Sequence, residues 1–166
     1  MSWRKFFKKG GEMKKTAILV FLMILAGFMV ALAQDNEPLT FQDFAEGKAA
    51  IEENCMECHT LEEPMKKITD RAGWDAILTK MAGKGAIMSK KKRLQILEYL
   101  VAKSTFQTKC SACHALERPL EKNKKFQAWV ETVRRMAAKK PEHLTEEEIQ
   151  AVSGYLTAKG EEKTLL

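Results

Sequence analysis

The chain has 166 residues, is 45% hydrophobic and 30% charged, and carries 9 glycines, 4 prolines and 4 cysteines. These values exclude a disordered, fibrous or disulfide-dense protein and fit one or two domains. The formal charge of +6 belongs mostly to the N-terminus: residues 1–33 hold six basic residues and one acidic residue, leaving +1 from position 34 onward, so a basic nucleic-acid-binding domain is excluded as well.

Thr16 to Ala33 is an unbroken apolar run behind Lys14 and Lys15, closed by Ala31-Leu32-Ala33. Small residues at those positions are what a signal peptidase reads, so residues 1–33 are expected to be a signal peptide cleaved after Ala33. The alternative is an uncleaved membrane anchor, because the run is just long enough to span a bilayer. Met13-Lys14-Lys15 reads as a natural start, which makes residues 1–12 either an over-extended gene start or a longer basic leader. Both readings put the remainder outside the cytoplasm, free in the periplasm or anchored facing it.

Thr40 is placed to cap a first helix from Phe41 toward Asn54, which leads into Cys55-Met56-Glu57-Cys58-His59. Trp74, Ile77, Leu78 and Met81 then fall at i, i+3, i+4 and i+7, one helical face. From Lys91 to Lys109 the chain has no glycine or proline. A helix ending one unit is therefore expected to run straight on toward Cys110-Ser111-Ala112-Cys113-His114. Trp129, Val133 and Met136 repeat the earlier helical face, and Thr145 to Glu148 is a capping box opening the last helix. No segment alternates as a strand would.

The second half thus repeats the first at an offset of 55 residues, which also maps Leu61 on Leu116, Glu62 on Glu117 and Pro64 on Pro119. After the methionines one residue is inserted, and Tyr99-Leu100 matches Tyr155-Leu156. The expected architecture is all-α, with two tandem helical units over residues 41–104 and 105–160 joined through a continuous or near-continuous helix. Tyr99 and Tyr155 are expected where the last helix of a unit crosses the first, against Phe44, Gly47 and Ile51 in the first unit, with Gly47 allowing close approach.

The chemistry sits in the two C-x-x-C-H strings, the attachment signature of c-type haem. Cys55 and Cys58, and likewise Cys110 and Cys113, can each add a thiol to one vinyl group of the porphyrin. His59 and His114 then serve as proximal iron ligands. A unit this small lacks apolar surface for a core, and a covalent apolar cofactor supplies it. A zinc site or a pair of disulfides would leave both histidines without a role. Met81 and Met136 each lie 22 residues beyond their own haem histidine and are the candidate sixth ligands. Met88 and His143, each 29 residues beyond, are the rivals, with His143 read as a solvated loop residue. Trp74 and Trp129 are expected to pack on or beside the haems; the alternative for each is plain core.

C-x-x-C-H, a downstream methionine and a final helix bearing Tyr-Leu resemble the small class I cytochromes c, and two fused copies look like a dihaem cytochrome c. The Trp-x6-Met element is also similar to the two-haem domain of quinohaemoprotein amine dehydrogenase. The resemblance covers roughly residues 41–160. It implies an all-helical fold, with His59 and Met81 on one iron and His114 and Met136 on the other.

Irons closed by two protein ligands pass electrons and have no open position for substrate. The expected function is therefore that of a periplasmic electron carrier, one electron per haem, and not an enzyme. The alternatives are a small peroxidase-like enzyme or gas or redox sensor with one labile haem, and an electron-transfer subunit of a larger membrane complex. Redox partner proteins are expected, acidic at the docking face if Lys90, Lys91, Lys92 and Arg93 steer them. The plainer reading of that run, and of Arg118, Lys122, Lys124 and Lys125, is a solvated face.

Overall fold

Thr40 caps the first helix through a reciprocal arrangement, its backbone N–H donating to the Asp43 carboxylate at 2.8 Å. The helix that follows, α1, spans Phe41–Cys55. The computed structural model describes residues 40–161; the expected signal peptide or anchor lies outside them. Beyond α1 come the short α2 (Glu62–Lys66), then α3 (Arg71–Ala82) and α4 (Lys90–Thr105). A π-helical segment, Phe106–Cys110, carries α4 on without a break. The short α5 (Glu117–Leu120), α6 (Phe126–Ala137) and α7 (Glu146–Glu161) complete the chain. Among the described residues there is no strand, and no helix is long and apolar enough to cross a membrane.

Three long helices form the centre. α1, α4 and α7 pack against one another, α3 rests on α4, and α6 rests on α7. Phe44, Ile51, Ile96, Tyr99, Leu100, Phe106, Val152 and Tyr155 are buried between them with Trp74 and Trp129. The core is continuous, so these residues make one compact body. The sequence-expected boundary between residues 104 and 105 falls inside a single rod, α4 with its π segment, about 30 Å long.

Gly47 lets α1 and α4 touch backbone to backbone. A Cβ there would lie 2.8 Å from the carbonyl carbon of Gln95 and 3.1 Å from Cβ of Tyr99. Gly47→Ala is accordingly expected to cost about 1–3 kcal/mol as the helices are pushed apart, read from a urea melt. An unchanged midpoint would mean the crossing has slack. At the second crossing, Tyr155 meets Tyr99 at 5.3 Å and Phe106 at 5.5 Å between ring centroids. Both tyrosines sit at helix crossings, as their place in the repeat suggests.

Candidate functional site

α1 delivers Cys55 on its last turn, and the chain turns back at once: the N–H groups of Cys58 and His59 both reach the Cys55 carbonyl at 3.4 Å. The second string repeats this turn, with the Cys113 N–H 3.3 Å from the Cys110 carbonyl. Cys55 and Cys110 are half-buried, while Cys58, Cys113, His59 and His114 are exposed. All four thiols are free. Burial pushes the Cys55 thiol up, and burial with the nearby Cys113 pushes Cys110 up to about 11. Among the described residues no three His, Cys, Asp or Glu side chains converge to hold a metal ion, so the two strings do not combine into one cysteine cluster.

The histidines are oriented alike. Nδ1 of His59 lies 2.9 Å from the Thr60 carbonyl, and Nδ1 of His114 lies 3.0 Å from the Ala115 carbonyl. A carbonyl can only accept, so Nδ1 carries the proton and Nε2 keeps its lone pair. That is the tautomer a metal-ligating imidazole uses, held by a partner behind it.

Trp74 and Trp129 are 1% and 2% exposed. Asp70 starts α3 by accepting from the Gly73 N–H at 2.8 Å, and Arg93 holds α3 to α4 through Asp75 Oδ1 at 2.7 Å and Thr79 Oγ1 at 2.9 Å. Trp74 Nε1 donates to Ser104 Oγ at 2.9 Å. Trp129 Nε1 is buried and has no hydrogen-bond partner among the described residues. The repeat explains the difference: at the offset of 56 residues that pairs the tyrosines, Ser104 becomes Gly160, which has no hydroxyl to offer. An unmade hydrogen bond on a buried indole is costly, and an acceptor arriving with a bound group would remove the cost.

Met81, near the end of α3, is half-buried, and Met136, near the end of α6, is 39% exposed. Neither behaves as a sealed core residue. Met88 is half-buried against the core. His143 is not the freely solvated loop residue expected from sequence. Glu142 turns the chain with φ of 63°, and His143 Nε2 donates to the Lys109 carbonyl at 2.8 Å. A ring nitrogen engaged in this way is not a free iron ligand.

Three residues of the Lys90–Arg93 run make ion pairs at the surface. Lys91 lies 3.6 Å from Glu46, Lys92 lies 2.7 Å from Glu53, and Arg93 holds Asp75. In the second basic stretch, Lys124 lies 5.0 Å from the Trp129 ring centroid and donates to Thr132. Sequence reasoning passed over Lys103 and Ser104. Ser104 was visible in the repeat as a position where the two halves differ; nothing in the local pattern marked Lys103 as buried.

The four free thiols, the two pre-oriented imidazoles and the orphaned indole N–H all fit a covalently held haem with acidic side groups. A family model described as "Cytochrome C oxidase, cbb3-type, subunit III" matches residues 97–156. No curated protein and no solved structure matches the chain. The matched stretch starts within α4 and takes in the second C-x-x-C-H, Trp129, Met136 and Tyr155. It supports a c-type cytochrome domain, whose covalent haem serves electron transfer.

Proposed function

We propose that this chain is a dihaem c-type cytochrome that carries electrons in the periplasm, one per haem. The observation that carries the reading is the duplication of the whole site. Each C-x-x-C-H string has one half-buried and one exposed thiol, and a histidine turned by a neighbouring carbonyl. Each is followed 22 residues later by a methionine at the end of a tryptophan-bearing helix.

Cys55 and Cys58 would tether the first haem and Cys110 and Cys113 the second. The bound group supplies reversible one-electron iron chemistry. His59 and His114 would hold the metal through Nε2, each ring oriented by the hydrogen bond behind it. Met81 and Met136 would be the further iron ligands, each a soft, neutral thioether that would favour the reduced state and leave no place for substrate. Trp74 and Trp129 keep water from the site.

By the repeat, residues 96–110 correspond to α1, so the rod made by α4 and its π segment would be both the last helix of the first unit and the first helix of the second. Two units sharing one helix have no linker, which suits a relay of fixed geometry. Export through residues 1–33 would supply the compartment where haem is attached.

A visible spectrum of the exported protein tests this. A pyridine haemochrome assay is expected to give two haems per chain. The oxidised spectrum is expected to show the weak Met-to-ferric band at the red end, with no shift of the reduced spectrum under carbon monoxide. A carbon monoxide shift would mean an open iron and favour a peroxidase or sensor role. Met81→His is expected to lower the potential of the first haem and leave the second nearly unchanged, by redox titration. Two potentials falling together would show that the sites are not separable.

A further inference from the structure

The segments that lead from Met81 and Met136 to the next long helix are built alike except at one point. Each leaves its methionine through local hydrogen bonds. The Lys84 N–H reaches the Met81 carbonyl at 3.0 Å, and the Lys139 N–H reaches the Met136 carbonyl at 3.1 Å. Each ends on an apolar side chain packed against the core, Met88 in the first and Leu144 in the second. The flanking helices are tied together in both halves, Arg93 to Asp75 and Arg134 to Glu146.

His143 makes the difference. Its Nε2 donates to the Lys109 carbonyl at 2.8 Å, and Lys109 directly precedes Cys110. The Lys109 ammonium is itself held by Glu148 of α7 at 2.7 Å, so the acceptor sits on an anchored stretch of chain. The segment after Met136 is thereby fastened to the turn that bears Cys110, Cys113 and His114. Glu142, just before His143, takes φ of 63°, a conformation that residues other than glycine rarely adopt and that persists where the surroundings impose it. Counting back from the capping residues Ser89 and Thr145, the first half has Ile87 in place of His143. Ile87 is 90% exposed, and its side chain has no donor. The positive φ of this segment, 103°, falls on Gly85, where an added Cβ would meet nothing within 4 Å. Among the described residues no hydrogen bond fastens residues 82–88 to the turn that bears Cys55 and Cys58.

We infer that the His143 hydrogen bond is a clasp holding Met136 at the second haem site, and that the first site, which has no clasp, is where methionine gives way to an added neutral nitrogen ligand. His143 is here a positioning residue, acting on Met136 through the Lys109 carbonyl. The exchange breaks one bond between iron and the Met81 sulfur and forms one between iron and nitrogen, with no electron transferred. The inference rests on the reading above of two haems with methionine ligands.

The test is an imidazole titration of the oxidised holoprotein, after a haem count. It is followed by the weak Met-to-ferric band and by the two shifted methionine methyl resonances. Met81→His removes one of these resonances and so identifies it. The band is expected to be lost in two steps. Met81 leaves first, at an imidazole concentration about tenfold lower, the range that one hydrogen bond covers. His143→Leu is expected to merge the steps by moving the later one down. His143→Gln, whose amide can still donate to the carbonyl, is expected to keep them apart. A residue that only packs would be served by leucine, and one that only stabilised the fold would move both steps. Three results overturn the inference and leave the two-haem reading intact: a single step in the wild type, a first step that belongs to Met136, or His143→Leu and His143→Gln behaving alike. A chain with fewer than two haems, or without the Met-to-ferric band, overturns both. Should His143→Leu fail to fold, the order and spacing of the wild-type steps decide the question alone.

Discussion

Replacing Cys110 and Cys113 together by alanine is expected to halve the haem content of the purified protein, from two per chain to one. Mass spectrometry of the intact chain would show the loss of one covalent adduct. The two strings lie on different elements, Cys55 on α1 and Cys110 on the π segment, and their turns are closed by their own backbone hydrogen bonds. Nothing in the attachment of the first haem needs the second pair of thiols. The mirror variant, Cys55→Ala with Cys58→Ala, is expected to leave the other haem. If either double variant lost both adducts, the shared rod would have to be assembling the two sites as one.

The second large effect is expected at Trp74. Its ring is almost fully buried between α3 and α4, and its N–H donates to the Ser104 hydroxyl. Trp74→Ala removes the largest side chain of that interface and leaves a hydroxyl without its donor. The cost is expected to be about 3–5 kcal/mol, read from denaturant unfolding of the holoprotein. Trp74→Phe keeps most of the ring and isolates the hydrogen bond, at about 1 kcal/mol. The same change at Trp129 gives up no hydrogen bond to the described residues, because its Nε1 has no partner among them. In the holoprotein, equal losses at both positions would mean that a group brought by the cofactor satisfies Trp129.

The duplication places these two tryptophans in equivalent positions, yet their surroundings differ by one hydroxyl. Ser104 and Gly160 occupy the same step of the repeat, so two otherwise matched sites bury their indoles with different hydrogen bonding. A second difference lies in the approach to the cysteines. α1 stays regular through Cys55, whereas the second string is reached through a π-helical turn. There the Thr108 hydroxyl bonds the Ser104 carbonyl at 2.8 Å and the Thr105 hydroxyl bonds the Val101 carbonyl at 3.0 Å. Such bonds satisfy carbonyls that a widened turn releases.

Much of the proposed site is legible in the sequence, because it is written in local spacing. Two cysteines three apart with a histidine next, a tryptophan seven residues before a methionine, and the same register 55 residues later are one-dimensional facts. Helical periodicity and the capping residues Thr40 and Thr145 likewise announce helices without reference to distant neighbours, and both caps form. The tertiary structure alone decided which charges meet which partners and which side chains are sealed. The Lys91, Lys92 and Arg93 run is a solvated face in the structure too, but only the packing of α1 and α3 determines that Glu46, Glu53 and Asp75 are the acids that pair with it there. Lys103 looks like one more surface lysine until the chain before α3 covers it with the Lys67 carbonyl. Burial and ion pairing depend on residues far apart in sequence being brought within a few ångströms, and only the packing of α1, α3 and α7 around the α4 rod determines which ones meet.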